Sequence, residues 1–259
     1  MREDALMAPE TTHRRTNEPE RPISPLTDDY VPLVSDEYAE RIRAWHESAL
    51  AAMKHEAGTG QIFDYLGLTL AVPPQVQPIT GMSALLGEAV QAEVRSGDRV
   101  LDMGTGCGVN AILAAEVSSD VVAVDTNPIA LDAARANATR NGVAKHIDFH
   151  HSDVFEAVDG VFDLIIFDPP FRWFAPRDLL ETAVTDENYR ALRTFFRELH
   201  NHLSPGGRVL IFFGTSGDME FLKELIAASG FDAEVVKSRR LHKDGWQIEY
   251  VTQRLTVAP

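Results

Sequence analysis

The apolar positions of this chain change period along its length. From Asp36 onward, Tyr38, Ile42, Trp45 and Ala49 recur at helical spacing with Leu50 and Met53 alongside, behind Ser35 as a cap and with Asp36-Glu37 in the first turn. That predicts a helix over residues 36–57, stopped by Gly58 and Gly60. Residues 63–72 then alternate loosely around Gly67, as a short hairpin closed by Pro73-Pro74 would. After a helix over 83–94, continuous apolar runs exchange with helical stripes: strand 99–103, helix 109–117, strand 121–125, helix 128–141, strands 147–150 and 162–167, helix 187–203, strand 207–213 and helix 217–229. Two closing strands, 233–239 and 246–255, flank Asp244-Gly245, a hairpin turn signal. Residues 1–30 carry charges, threonines and prolines with almost no apolar periodicity and are expected to be disordered.

Alternation of this kind gives a parallel sheet with helices on both faces, and a terminal hairpin inserts one antiparallel strand. The expected fold is α/β, a doubly wound, seven-stranded sheet over residues 83–259 preceded by a helix-hairpin element over 31–82. That prelude reads as a covering helix or as a substrate-binding lid. Ligands of such sheets bind at the carboxyl ends of the strands.

Three strand ends carry candidate chemistry. Strand 99–103 runs into Gly104, Gly106 and Gly108 and then into an apolar helix, a turn in which glycine tolerates both positive φ and a ligand lying on the backbone. A tight structural turn would want the same residues. The run Val121-Val122-Ala123-Val124 ends in Asp125, about 20 residues beyond the loop, the separation at which an acid reaches ribose hydroxyls. The alternative is an Asp that starts the turn before Asn127-Pro128. The third run, Ile165-Ile166-Phe167, ends in Asp168-Pro169-Pro170-Phe171, where two prolines rigidify the backbone and free carbonyls from competing amides. A dinucleotide fingerprint fits less well, since its third glycine would fall on Val109.

From Ser96 to Leu255 this series resembles the class I S-adenosylmethionine-dependent methyltransferases, with a Rossmann-like sheet. The resemblance makes Asp102, Gly104, Thr105, Gly106 and Gly108 the first cofactor motif, Asp125 with Thr126 the ribose site, and Asp153-Val154 the segment beside the adenine, with Asp168 next to the methyl group. Asp168-Pro169-Pro170-Phe171 is similar to the Asn/Asp-Pro-Pro-aromatic signature of members that methylate planar or amide nitrogen. It implies that Asp168 and the Pro169 carbonyl accept hydrogen bonds from the substrate nitrogen while Phe171 stacks on a flat substrate. Arg172 and Trp173 would extend that wall towards a planar or anionic substrate, although Trp173 and Phe174 also read as ordinary packing. The prelude, Gln77-Pro78-Ile79-Thr80 and the helix of 83–94 are similar to the release-factor glutamine methyltransferases. Here Ile79-Thr80-Gly81 stands where those enzymes place a basic-acidic pair, and Asp168 where they usually carry Asn.

Bulk composition narrows the partners. With 24 basic and 39 acidic residues the formal net charge is -15, a field that repels polyphosphate. The expected substrate is therefore a small molecule or peptide; ribosomal RNA, transfer RNA or a translation factor is the alternative, and a non-catalytic cofactor-binding protein or an oxidoreductase is a third class. The basic stretch Lys237 to Lys243 reads as a solvated loop or as a local nucleic-acid patch. No apolar run approaches the ~20 residues of a membrane span, and no signal sequence opens the chain. A single cysteine, Cys107, excludes an internal disulfide and favours a reducing, cytoplasmic location. The histidine pairs lack the i, i+4 spacing of a metal site, so no metal is expected.

Overall fold

The computed structural model describes residues 24–26, 29–56, 60–243 and 245–259. Its elements are α1 (Asp36–Glu56), β1 (Gln61–Tyr65), β2 (Leu68–Val72), α2 (Ser83–Glu93), β3 (Arg99–Met103), α3 (Val109–Ala115), β4 (Asp120–Asp125), α4 (Pro128–Arg140), β5 (Ile147–His151), β6 (Phe162–Phe167), α5 (Arg190–His202), β7 (Leu203–Gly214), α6 (Met219–Ala228), β8 (Phe231–Lys243) and β9 (Trp246–Val257). The seven-stranded sheet has the order β5-β4-β3-β6-β7-β9-β8, and β9 runs antiparallel to both of its neighbours. This is the expected α/β architecture. Strand order reverses at β3, which pairs β4 on one side and β6 on the other, so a crevice opens above the ends of these strands. Val100, Leu101, Leu164, Ile165 and Ile166 are buried, as central parallel strands covered on both faces require.

The prelude divides between two supports. The hairpin β1–β2 lies on α4, where two asparagine amides imitate a neighbouring strand. Asn137 accepts from the Ala71 amide at 2.8 Å and donates to the Ala71 carbonyl at 2.9 Å, and Asn141 does the same for Thr69 at 3.1 Å. Asn137 also donates to the Cys107 carbonyl, which ties the hairpin to the glycine loop. Helix α1 packs elsewhere. Tyr38 and Trp45 meet Trp246 edge-on, and buried His46 holds buried Glu181 at 2.8 Å. Most of the segment expected to be disordered lies outside the described residues, but at its end Leu26 and Tyr30 pack on the core. Tyr30 meets Trp173, Tyr189 and Phe221 and donates to Asp218 at 3.0 Å.

β8 runs from Phe231 to Lys243, beyond the expected 233–239 and through the basic stretch that also read as a loop. The starts of two other elements differ from expectation as well. The helix expected from residue 187 begins at Arg190, because Asn188 and Tyr189 adopt left-handed conformations with φ of 54° and 50°. The Asp186 carboxylate bridges that kink and caps α5, accepting from the Ala191 and Leu192 amides at 3.0 Å. The strand expected from 207 begins at Leu203, directly after α5.

Candidate active site

A cavity of ≈ 510 Å³ sits above β3, β4 and β6, lined among others by Gly104, Thr105, Gly106, Asp125, Thr126, Asp153, Val154 and Asp168. Its floor is the glycine loop. Gly104 and Gly106 have φ of 69° and 55°, and a Cβ on either would meet nothing within 4 Å. Gly108 differs, since at φ 88° its Cβ would lie 2.9 Å from that of Ala134. Two of the three glycines thus leave an open cradle, and the third lets the loop close on α4.

Asp102 and Gly108 were expected to touch the cofactor but are not among the cavity-lining residues. Asp102 lies behind the loop, accepting from the Thr105 hydroxyl at 2.6 Å and the Ala111 amide at 3.0 Å, and burial pushes its pKa up to about 6. It braces the turn from below. Asp125 accepts from the Gly106 amide on one oxygen and from the Asn127 amide on the other, each at 2.8 Å, and with the Thr126 amide also facing it the carboxylate keeps acceptor capacity for a ligand hydroxyl. Burial raises its pKa as well. Val154 has φ 52°, a conformation that strains a β-branched residue, and the Ser152 hydroxyl holds its carbonyl at 2.9 Å.

Asp168 leaves β6 into the cavity, and no hydrogen bond joins its carboxylate to any described residue. Burial, then the nearby charge of Asp102, pushes its pKa up to about 7. The turn behind it points the other way: Pro169 is buried, and Phe171, Arg172 and Trp173 lie outside the cavity lining. Phe171 packs on Phe212, Phe213 and Tyr250. Trp173 packs on Tyr30, Phe174 and Tyr189, and the Arg172 guanidinium lies over Trp45. The chain between them and α5 returns to form the far wall, through Thr182, Thr185, Asp186, Glu187 and Arg190. Glu181 fixes that wall to α1. It accepts from Arg177 and His46, and the Arg177 bonds hold its carboxyl down to about 2.

Neither this wall nor the stretch of Val76, Gln77, Pro78 and Ile79 is among the expected site residues. Arg190 is the one Lys or Arg in the lining, paired with Asp153 at 3.0 Å, against Asp125, Asp168, Asp186 and Glu187. An acidic cradle of this size suits a cationic nucleoside. Cys107, at the helix start, is buried with its thiol pushed up to about 12, which removes it as a nucleophile. Among the described residues no group of three His, Cys, Asp or Glu is placed to hold a metal.

The model of the methyltransferase small domain matches residues 79–229, more than half of the chain. The chain belongs to the methyltransferase small domain family. Membership bears out the resemblance to the S-adenosylmethionine-dependent methyltransferases. A protein of Methanocaldococcus jannaschii provisionally named a protein N5-glutamine methyltransferase is 32% identical over 183 residues, 67% of this chain and 90% of that one. The ribosomal protein L11 methyltransferase of Symbiobacterium thermophilum is 31% identical over 165 residues, 63% of this chain but 46% of its own length. The chain thus spans about half of the L11 enzymes it matches. Among solved structures, the Methanocaldococcus jannaschii tRNA m1G37 methyltransferase shares the fold with a TM-score of 0.58 at 20% identity, over 78% of this chain and 57% of that one. No helix among the described residues is long and apolar enough to cross a membrane.

Proposed function

We propose that this chain methylates a nitrogen of a protein or peptide, with Asp168 orienting the acceptor. The observation that carries the reading is the Asp168 carboxylate, held at a strand end before two prolines, in the cavity and without a hydrogen-bond partner among the described residues. Half-buried Asp168 thus faces the cavity with acceptor capacity that the described residues do not use, and a substrate N–H can fill it. The two sequence relatives described above, each over 30% identical, are named for methylating proteins, and the net charge of -15 opposes RNA.

Bound S-adenosylmethionine supplies an activated methyl on sulfur. Gly104 and Gly106 would receive its backbone-facing side, Asp125 its ribose hydroxyls, and Asp153 with Val154 its purine. What is asked of the chain is placement: Asp168 turns the nitrogen lone pair towards the methyl group and supports the positive charge that develops there. Thr182, Thr185 and Pro176, lining the far wall, close the acceptor side of the cavity.

The test incubates the chain with tritiated-methyl S-adenosylmethionine and separate protein, RNA and metabolite fractions of a cell extract. Label that protease releases and that survives mild base, as N-methyl does and methyl esters do not, supports the reading. Nuclease-sensitive label moves the substrate to RNA, and label confined to metabolites restores a small-molecule acceptor. Asp168→Ala should lower turnover roughly 10²- to 10³-fold with little change in cofactor affinity.

A further inference from the structure

A second cavity, ≈ 410 Å³, lies between α1 and the chain of residues 173–188. That chain is a partition. Pro176, Thr182 and Thr185 line the cofactor cavity, Ala175, Arg177 and Glu181 line the second one, and Glu187 lines both. The two spaces therefore adjoin at Glu187, an exposed residue, with the Asp168 carboxylate in one and α1 along the other. Most charges of the second cavity are already engaged. Arg177 holds Glu181 at 2.8 Å and Glu47 at 3.1 Å, and Glu181 also binds His46. Arg43 and Glu187 are left, neither side chain with an ion-pair partner among the described residues. Glu47 stands four residues beyond Arg43 on α1, the spacing of a helical ion pair, but Arg177 occupies it. The Arg43 guanidinium instead lies over the Phe174 ring, 4.2 Å from the centroid. The ring covers one face and orients the group, and the in-plane N–H fork stays open to a planar anion.

A protein acceptor has to lay more than one residue on this surface. Its nitrogen enters the cofactor cavity, where Asp125, Asp168, Asp186 and Glu187 disfavour an anion beside it. An extended chain advances about 3.3 Å per residue, so a few residues carry it across the partition. Beyond Glu187 the polarity inverts, because the unpaired charge on α1 is Arg43. We propose that the second cavity binds the acceptor polypeptide beside the methylated residue, with Arg43 pairing an Asp or Glu side chain that stands a few residues from the methylated nitrogen. The inference rests on the reading of this chain as a protein methyltransferase. It gives α1 a part in choosing the acceptor, whereas the glycine loop and Asp125 serve the cofactor.

The test maps label from tritiated-methyl S-adenosylmethionine on the proteins of a cell extract, by peptide sequencing, for the full chain and for Arg43→Glu and Arg43→Gln. Sites methylated by the parent should carry Asp or Glu within about four residues. One labelled protein is then remade with that acid changed to Lys, and KM and kcat are measured on both versions. In the parent the change should raise KM roughly fivefold or more with kcat nearly unchanged. Arg43→Glu should reverse the preference and methylate the Lys version better than the original, while Arg43→Gln should show no preference. A structural arginine cannot produce that reversal. Arg43 is exposed, so both variants should melt close to the parent and bind S-adenosylhomocysteine within about twofold of it. The proposal is overturned by labelled sites without a nearby acid, by Arg43→Glu that keeps the parent's preference, by equal losses on both versions of the acceptor, or by a roughly tenfold loss of S-adenosylhomocysteine affinity. Label confined to RNA or metabolites would overturn the protein reading and the subsite with it, whereas labelled proteins indifferent to Arg43 would overturn the subsite alone.

Discussion

The hydroxyl of Tyr189 donates to the carbonyl oxygen of Phe171 at 2.5 Å and accepts from the Asp218 amide at 2.8 Å. One phenol thus ties the Asp-Pro-Pro-Phe turn to the start of α6. The bond is reached by holding Asn188 and Tyr189 in left-handed conformations, unfavourable for a tyrosine. Such strain persists where the surroundings over-determine it, here through a ring with no exposed surface stacked on Phe221.

Tyr189→Phe keeps that ring and orphans a carbonyl and an amide. Stability should fall by about 1–3 kcal/mol in urea denaturation. Methyl transfer should fall further than affinity for S-adenosylhomocysteine, because the turn that carries Asp168 is loosened while the glycine loop is untouched. An unchanged midpoint would show that water replaces the hydroxyl.

The glycine loop offers two substitutions with opposite signatures. Gly106→Arg puts its side chain into the open space above the loop, so cofactor affinity should collapse while Tm changes by no more than the strain of a left-handed residue. Gly108→Ala meets Ala134 at 2.9 Å and should lower Tm first, with affinity following. Calorimetry and thermal melts on both variants separate the cradle from the packing contact. Equal cofactor affinity in Gly106→Arg and the parent would displace the pocket.

The centre of the sheet was legible in the sequence because β3, β4, β6 and β7 each hold a largely apolar run, and Asp125 and Asp168 were visible as acids at the ends of two of them. The outer strands β5 and β8 are mostly polar. The roles of individual side chains were less so. Asp102 and Asp125 carry the same chemical signal, yet only the fold shows one under the loop and the other in the cavity. Phe171 and Trp173 follow the motif that suggests stacking, but their rings turn into the core, because the apolar surfaces of β7, Tyr30 and Tyr189 are there to cover them. The far wall at 176–191 was illegible for a different reason. Its path is set by the His46–Glu181 bond, which joins distant parts of the chain, and by the left-handed pair bridged by Asp186, a break in the helical pattern. Asn188 was the one local hint, since asparagine tolerates positive φ.

Of the two asparagines that hold the hairpin, Asn137 also reaches the glycine loop. Asn137→Ala leaves the Ala71 amide and the Ala71 and Cys107 carbonyls without their partner. Stability should drop by about 2–4 kcal/mol, at the upper end for one side chain, because several buried groups lose bonds together. Hydrogen exchange should rise first in residues 68–79. Protection that stays level there would show the hairpin held by its apolar contacts with α4 alone.

Asp168 should make the two forms of the cofactor respond differently to pH. Its carboxyl rises from 3.8 to about 7 in the free chain, so the folded state holds a proton that the unfolded state has released. The contribution of this group to stability is therefore full below about pH 4 and is lost as pH climbs through about 7. A sulfonium beside it favours the carboxylate, and each pKa unit by which it does so is a tenfold gain in affinity. S-adenosylmethionine should accordingly bind more tightly as pH rises from about 6 to 8, with proton release on binding, while S-adenosylhomocysteine, which lacks the charge on sulfur, shows a flatter profile. Asp168→Asn should flatten the first profile onto the second. Calorimetry in buffers of different ionisation enthalpy measures both affinity and proton release. Parallel profiles for the two ligands in the parent would mean that the Asp168 carboxyl does not face the sulfur.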